Sequence, residues 1–342
     1  METARNSRSP RENLLAALGG EKPAYRPVIS VCQYATYDLM KETGTSWPKA
    51  HTDAAEMAKL SAGGRRVFGL DAVRVPYGQT NEAQAFGAVL VEGETELSLP
   101  SIARHPCAID EPPAFPAGFL DREPIAQTLE AVRLLKKDCG SEAAVMGGIC
   151  GPFTIAGNLL GIKTILKNCQ KNPGAVRPFI ALGLKAAAVL AEAYREAGAD
   201  IISIEDMMAS MSMISPRIYR DLVFQAEKDL ISQIKLPVIL HICGRLDAVI
   251  TEVAQTGTAA ISVEEVVNIA EAKARLGEAG LRPVFIGNIN TTEVLRSDDP
   301  GDTEKAVEAA IAQGVDIVSP GCAIAPDTPA ANILRMIDRG RK

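Results

Sequence analysis

The sequence predicts a (β/α)8 TIM barrel of the α/β class, with an N-terminal helical extension. Three observations carry that expectation. Eight short apolar, β-branched runs recur along 342 residues, with longer amphipathic stretches between them. Each run is near-continuously apolar, as parallel strands covered on both faces must be. The rival is a doubly wound open sheet, which carries a glycine-rich phosphate turn after its first strand. Here "VISVC" runs into "QYATYDLM", without a glycine.

Residues 1–25 are expected to be a helical lead-in and residues 26–342 one barrel domain, since no Ser/Gly-rich linker or repeat divides them. The predicted strands end at Cys32 ("PVISVC"), Gly78 ("AVRVPYG"), Gly151 ("AVMGGICG"), Asp206 ("DIISIED"), Gly244 ("PVILHICG"), Glu265 ("AAISVEE"), Asn290 ("VFIGNIN") and Cys322 ("DIVSPGC"). Between them, "RPFIALGLKAAAVLAEAYREAGAD" keeps apolar residues at helical spacing and stops at Gly198, a good residue to follow a helix end. "SPRIYRDLVFQAEKDLISQIKLP" opens with Ser215 as cap and Pro216 in the first turn. "TTEVLRSDDPGDTEKAVEAAIAQG" reads as two helices split at Pro300. "TPAANILRMIDRG" reads as a helix capped by Thr328.

A net charge of −6 and a pI near 5.4 argue against nucleic-acid binding. The N-terminus "METARNSRSPREN" has no apolar core of a signal peptide, and no window approaches 18 consecutive apolar residues, so neither export nor a membrane span is expected. Seven cysteines at irregular spacing fit reduced thiols in the cytoplasm. Cys107, Cys139 and Cys169 read as ordinary small side chains.

The polar residues are distributed unevenly. Chemistry in this fold sits at the C-terminal ends of the strands. Those ends carry Cys32, Arg74, Cys150, Glu205, Asp206, His241, Cys243, Glu264, Glu265, Asn288 and Cys322, while the N-terminal ends are plain. On a strand, residues i and i+2 share a face, so His241 and Cys243 can grip one ion. Cys322 ends another strand and can converge on the same axis. One imidazole, two thiolates and a further ligand make a tetrahedral zinc site. Glu264 could be that ligand or its support. Core packing of the His-x-Cys pair is the competing reading, and the strand-end acids could equally cap helices.

"HICG", "ISVEE", "GNIN" and "SPGCAIAPDTP", in that order, resemble the methylcobamide:coenzyme M methyltransferases of the uroporphyrinogen decarboxylase superfamily. "RPVISV", "AHTDAAEMAKL", "GLDAVRVPYG", "GGICGPFTIAGNLLG" and "EAGADIISIED" extend the likeness over nearly the whole chain. The resemblance implies a zinc ion held by His241, Cys243 and Cys322, with Glu264 at the same metal. It implies methyl transfer from a methylated corrinoid on a partner protein to the thiol of coenzyme M. A base-off corrinoid domain would need D-x-H-x-x-G, and none of the three histidines fits. The corrinoid protein is therefore expected to dock at the C-terminal barrel face. For the sulfonate of coenzyme M, Arg74 and the glycine-bounded "GPFTIAG" loop are candidates; an ion pair between Arg74 and a strand-end acid is the alternative. Glu205 or Asp206 could orient His241 or exclude water, and Asn288 is a further candidate contact. Another thiol or a tetrahydrofolate could replace coenzyme M as acceptor. A metal-independent decarboxylase is a weaker reading, because "RPVISVCQYATY" lacks that branch's arginine-rich motif. A third alternative is a non-catalytic barrel that binds the corrinoid protein, with zinc as structural support.

Overall fold

Seven of the eight expected strands are regular in the computed structural model, which describes residues 8–91 and 99–342. In chain order the strands are β1 (Ala72–Val75), β2 (Val89–Val91), β3 (Ser101–Arg104), β4 (Ala144–Cys150), β5 (Ile201–Glu205), β6 (Val238–His241), β7 (Ala260–Val263), β8 (Val284–Ile289) and β9 (Ile317–Pro320). Among the described residues, β1 and β4 through β9 pair in that order, all parallel. β2 and β3 form a small antiparallel hairpin outside the barrel, which the sequence pattern did not single out. Its strands are short and largely exposed, so no buried face marks them.

The expected first strand is the exception. It makes only one parallel bridge, Val28 to Val318. Ile29 N–H donates to Val318 and Val318 N–H to Pro27 on one side, and Asp71 N–H donates to Val28 on the other. This stave closes the barrel between β9 and β1. Side chains replace part of the ladder: Asp71 accepts from Val28 N–H at 2.8 Å, and Ser319 Oγ from Val31 N–H at 3.4 Å.

Inside the barrel, side chains two apart on each strand pass from apolar to polar. Ile201 leads to Ser203 and Glu205, Ile239 to His241, Ala260 to Ser262, Ile286 to Asn288, and Ile317 to Ser319. The lower residues form one buried cluster with Leu14, Ala17 and Leu18 of the N-terminal helix Pro10–Leu18. That helix starts on a reciprocal cap between Ser9 and Glu12, and it plugs the N-terminal end of the barrel.

The outer helices cover the other strand faces. Pro173–Ala197 ends at Gly198 with φ +106°, as its sequence predicts. It is long and apolar enough to cross a membrane, yet Phe179, Ala186, Leu190 and Tyr194 are buried in the core. Ser215 caps its helix through Ile218 N–H. Two expectations fail. The stretch before Pro300 is a run of turns, because Asn290 Oδ1 takes the N–H groups of Thr292 and Glu293; only Pro300–Ala312 is helical. Thr328 does not cap the last helix, Ala330–Gly340. Asp38, far away in sequence, accepts from Ala330 N–H at 3.0 Å instead.

Candidate metal centre

The site is built on one rung of the sheet. Cys150 is in register with Glu205, Glu205 with His241, and His241 with Ser262. His241 is fully buried. Its Nδ1 lies 3.0 Å from Ser262 Oγ, and its Nε2 lies 3.4 Å from Cys243 Sγ. The chain leaves β6 through Gly244, whose φ of +72° suits only glycine comfortably. The Gly244 N–H lies close enough to the Glu264 carboxylate to favour its charged form. Cys243 Sγ lies 3.8 Å from Cys322 Sγ. Ser262 was not among the expected site residues. The signal that could have found it is its place two residues before Glu264, on the inward face.

These donors fit a tetrahedral zinc ion. Zinc–sulfur bonds of about 2.3 Å put two sulfurs about 3.8 Å apart, and a nitrogen and a sulfur about 3.6 Å apart. The observed spacings already match. The ligand atoms of Cys243, Glu264 and Cys322 lie within 4.8 Å of one another, and so do those of Cys32, His241 and Cys322. Cys32 was noted in the sequence only as a strand-end thiol.

Negative charge concentrates on Cys322. Hydrogen bonds from Cys243 and then Cys32 pull its thiol well below the usual range, against burial. The same bonds, with burial, push the Cys243 and Cys32 thiols up. Burial alone would lower His241, but its bond to Cys322 and that sulfur's charge outweigh burial and raise it. Burial, then the Cys322 charge, raise the Glu264 carboxyl, and the Gly244 N–H holds it back.

The other expected contacts have defined places. Arg74, 2% exposed, pairs with Glu205 at 2.7 Å, and Gln79 donates to the other Glu205 oxygen. A Cβ on Gly148 would sit 2.0 Å from the Arg74 guanidinium, so the glycine makes room for it. Asp206 is fully buried and turned away from His241. It accepts from Phe153 and Thr154 N–H and from Thr154 Oγ1. "GPFTIAG" is not an open loop but the start of the helix Pro152–Leu160. Asp206 already takes the N–H groups that were expected to meet a sulfonate. Asn288 donates to the Val267 carbonyl at 3.3 Å and the Glu264 carbonyl at 3.5 Å, and so holds the loop that carries Glu264.

A model of the family described as uroporphyrinogen decarboxylase (URO-D) matches residues 9–342. The chain belongs to the URO-D family. Within the family it belongs with the methylcobamide:CoM methyltransferases. It is 33% identical to Methylcobamide:CoM methyltransferase MtaA of Methanosarcina barkeri, covering 96% of each chain. It is 31% identical to Methylcobamide:CoM methyltransferase MtbA of Methanosarcina mazei, over 96% of this chain and 97% of the relative. A solved methyltransferase from Methanosarcina mazei superposes with a TM-score of 0.92 at 32% identity, over 97% of this chain and 98% of that one. In this URO-D family member the imidazole, the thiols and Glu264 all meet at the mouth of the barrel, where strands β6, β7 and β9 end.

Proposed function

We propose that the chain transfers a methyl group from a methylated corrinoid to the thiol of coenzyme M, at a zinc ion held by His241, Cys243 and Cys322 with Glu264 at the same centre. The observation that carries the reading is the imidazole–thiol–thiol set at 3.4 and 3.8 Å, in a chain whose relatives are named as methylcobamide:CoM methyltransferases.

Bound zinc supplies a Lewis acid that ionises a coordinating thiol near neutral pH. The chain's residues do the rest. Ser262 fixes the ring orientation of His241, leaving Nε2 facing the thiols. Gly244 and Asn288 hold Glu264 in donor range. Arg74 and Glu205 line the wall beside His241 and are the proposed substrate-side contacts; Asp206 acts through the helix that it caps. In the reaction the thiol gives up its proton, its sulfur takes the methyl group, and the methyl–cobalt bond breaks. Cobalt keeps both electrons and passes from cobalt(III) to cobalt(I).

The corrinoid arrives on a separate protein, which docks on the C-terminal barrel face. Support comes from Val266, 44% exposed and two residues beyond Glu264. The net charge of −6 favours neither nucleic acid nor an anionic membrane surface as partner. Ionisable thiols need a reducing compartment, which supports a cytoplasmic location. Residues 26–342 act as one catalytic domain, with residues 1–25 as its lead-in.

The test is a zinc assay on the purified chain together with methyl transfer from free methylcobalamin, followed by its absorbance. Near-stoichiometric zinc and rapid transfer to coenzyme M are expected. Preference for homocysteine or a tetrahydrofolate would change the acceptor. Full transfer by metal-stripped protein would overturn the zinc reading.

A further inference from the structure

At the end of the barrel away from the thiols, beside the plugging helix, lies an open cavity of about 780 Å³. Its wall is made by Ala17 of that helix, the loop that follows it, the helix Ile269–Glu278, the residues that lead into β8 and β9, and Arg341 and Lys342. Sites for small molecules have about this size, roughly 300–1,000 Å³.

The lining is charged against the rest of the chain. Lys22, Arg26, Lys273, Arg282, Arg341 and Lys342 face two acids, Glu21 and Asp316, in a protein whose net charge is −6. Both acids are already committed. Glu21 pairs with Arg8 at 2.7 Å, and Asp316 pairs with Lys273 at 2.8 Å and accepts from Phe285 N–H at 2.8 Å. Arg341 is held by Asp71 and Lys342 by Asp338. Among the described residues, Lys22, Arg26 and Arg282 have no carboxylate within 4.0 Å. The Arg26 guanidinium meets only the Gly340 carbonyl, at 3.5 Å, and that of Arg282 only its neighbour's carbonyl, at 3.4 Å. A Cβ on Gly277 would lie 2.6 Å from Arg282 Nη1, so the helix leaves room for this guanidinium. The buried Nε of Arg341 also lacks a hydrogen-bond partner. Beside these cations stands an apolar wall of Leu276, Leu281, Pro283, Val284 and Val315.

We propose that this cavity binds a small molecule that carries a diphosphate group on an apolar body. Guanidinium forks match phosphate oxygens two at a time, and a diphosphate concentrates the negative charge that Lys22, Arg26 and Arg282 leave unmet. The apolar wall takes the rest of the ligand. A bound molecule would tie the loop after the plugging helix to the starts of β8 and β9. It would therefore stabilise the fold. The site needs neither the zinc nor the methyl transfer proposed above.

The test is calorimetric titration of the full chain at constant ionic strength with ADP, geranyl diphosphate, pyrophosphate and citrate. Saturable binding of ADP or geranyl diphosphate is expected, and the tighter of the two identifies the body as a flat base or a hydrocarbon chain. Pyrophosphate and citrate should bind about ten-fold more weakly or worse. The tighter ligand should also raise the melting temperature by a few degrees at saturation. Arg282→Ala should weaken it about ten-fold or more, and Arg282→Glu should abolish binding. Arg282 is exposed, so both variants should fold, and both should keep wild-type methyl transfer from free methylcobalamin. Lys22→Glu, at another exposed position, repeats the test independently. Binding that ignores both charge reversals, equal binding of all four anions, or no saturable binding would overturn the proposal. A variant that lost methyl transfer along with the ligand would count against a site separate from the metal centre.

Discussion

The sulfur atoms of Cys243 and Cys322 lie 3.8 Å apart although 79 residues separate them in the chain. Only barrel closure brings them together, because β6 and β9 are not neighbours in the sheet. Two thiols at that spacing, with one acidic sulfur between hydrogen-bond donors, make a soft site for a cation.

Removing that sulfur gives the first prediction. Cys322→Ala should lose most of its zinc and reduce methyl transfer by about 1,000-fold or more, since a metal site missing a thiolate binds far more weakly. Its melting temperature should stay within a few degrees of wild type, because Cys322 sits in a partly buried bend outside the regular elements. Metal analysis, the methylcobalamin assay and a thermal melt check the three parts.

Ser262 should act through His241. Ser262→Ala removes the hydrogen bond to Nδ1 and should weaken zinc affinity by about 10–100-fold. Ser262→Thr should restore most of it. Competition against a chelator of known strength reads the effect; equal affinity in all three proteins would show that the serine only packs.

Arg74 and Glu205 are a buried pair. Arg74→Met leaves the carboxylate uncompensated and should cost about 3–5 kcal/mol of stability. Arg74→Met combined with Glu205→Leu should cost less than the single change. Gly148→Ala should also destabilise, by about 1–3 kcal/mol or more, through its clash with the same guanidinium. Urea denaturation at neutral pH measures each.

Asp206 sets a pH dependence. Burial raises its carboxyl from the usual 3.8 to about 6, against the pull of Thr154 and the helix N–H groups. The folded carboxyl therefore takes up a proton before the unfolded one does. Its contribution is most favourable below about pH 4 and declines as pH rises through about 6. That difference is on the order of 3 kcal/mol at 1.36 kcal/mol per pH unit. Wild type should thus gain stability relative to Asp206→Asn between pH 7 and pH 4.5. Parallel urea midpoints at the two values would show a constant gap if the carboxyl were not the cause.

The strand ends were readable from the residues because parallel strands are apolar runs with abrupt polar ends. The pairing of His241 with Cys243 followed from two-residue periodicity. What sequence periodicity could not show was contact across strands. Ser262 meets His241 only through register, and Cys32 meets Cys322 only through closure. Asp206 could be read as a site acid or as a cap for the helix after its own strand, and it caps a helix that follows a different strand. Asp38 caps a helix almost 300 residues away. The first strand was placed correctly but lacks a regular ladder, since Asp71 and Ser319 side chains substitute for it.

The N-terminal helix that plugs the barrel has a kinetic consequence. With Leu14, Ala17 and Leu18 filling one end, the described residues leave the interior open toward the C-terminal ends of the strands. In the proposed reaction the small thiol and the bulky methyl carrier must share that opening. The thiol has to be seated before the carrier covers it, and the methylated product leaves only after the carrier has gone. In that reaction, traffic through the site would be ordered by the shape of the barrel.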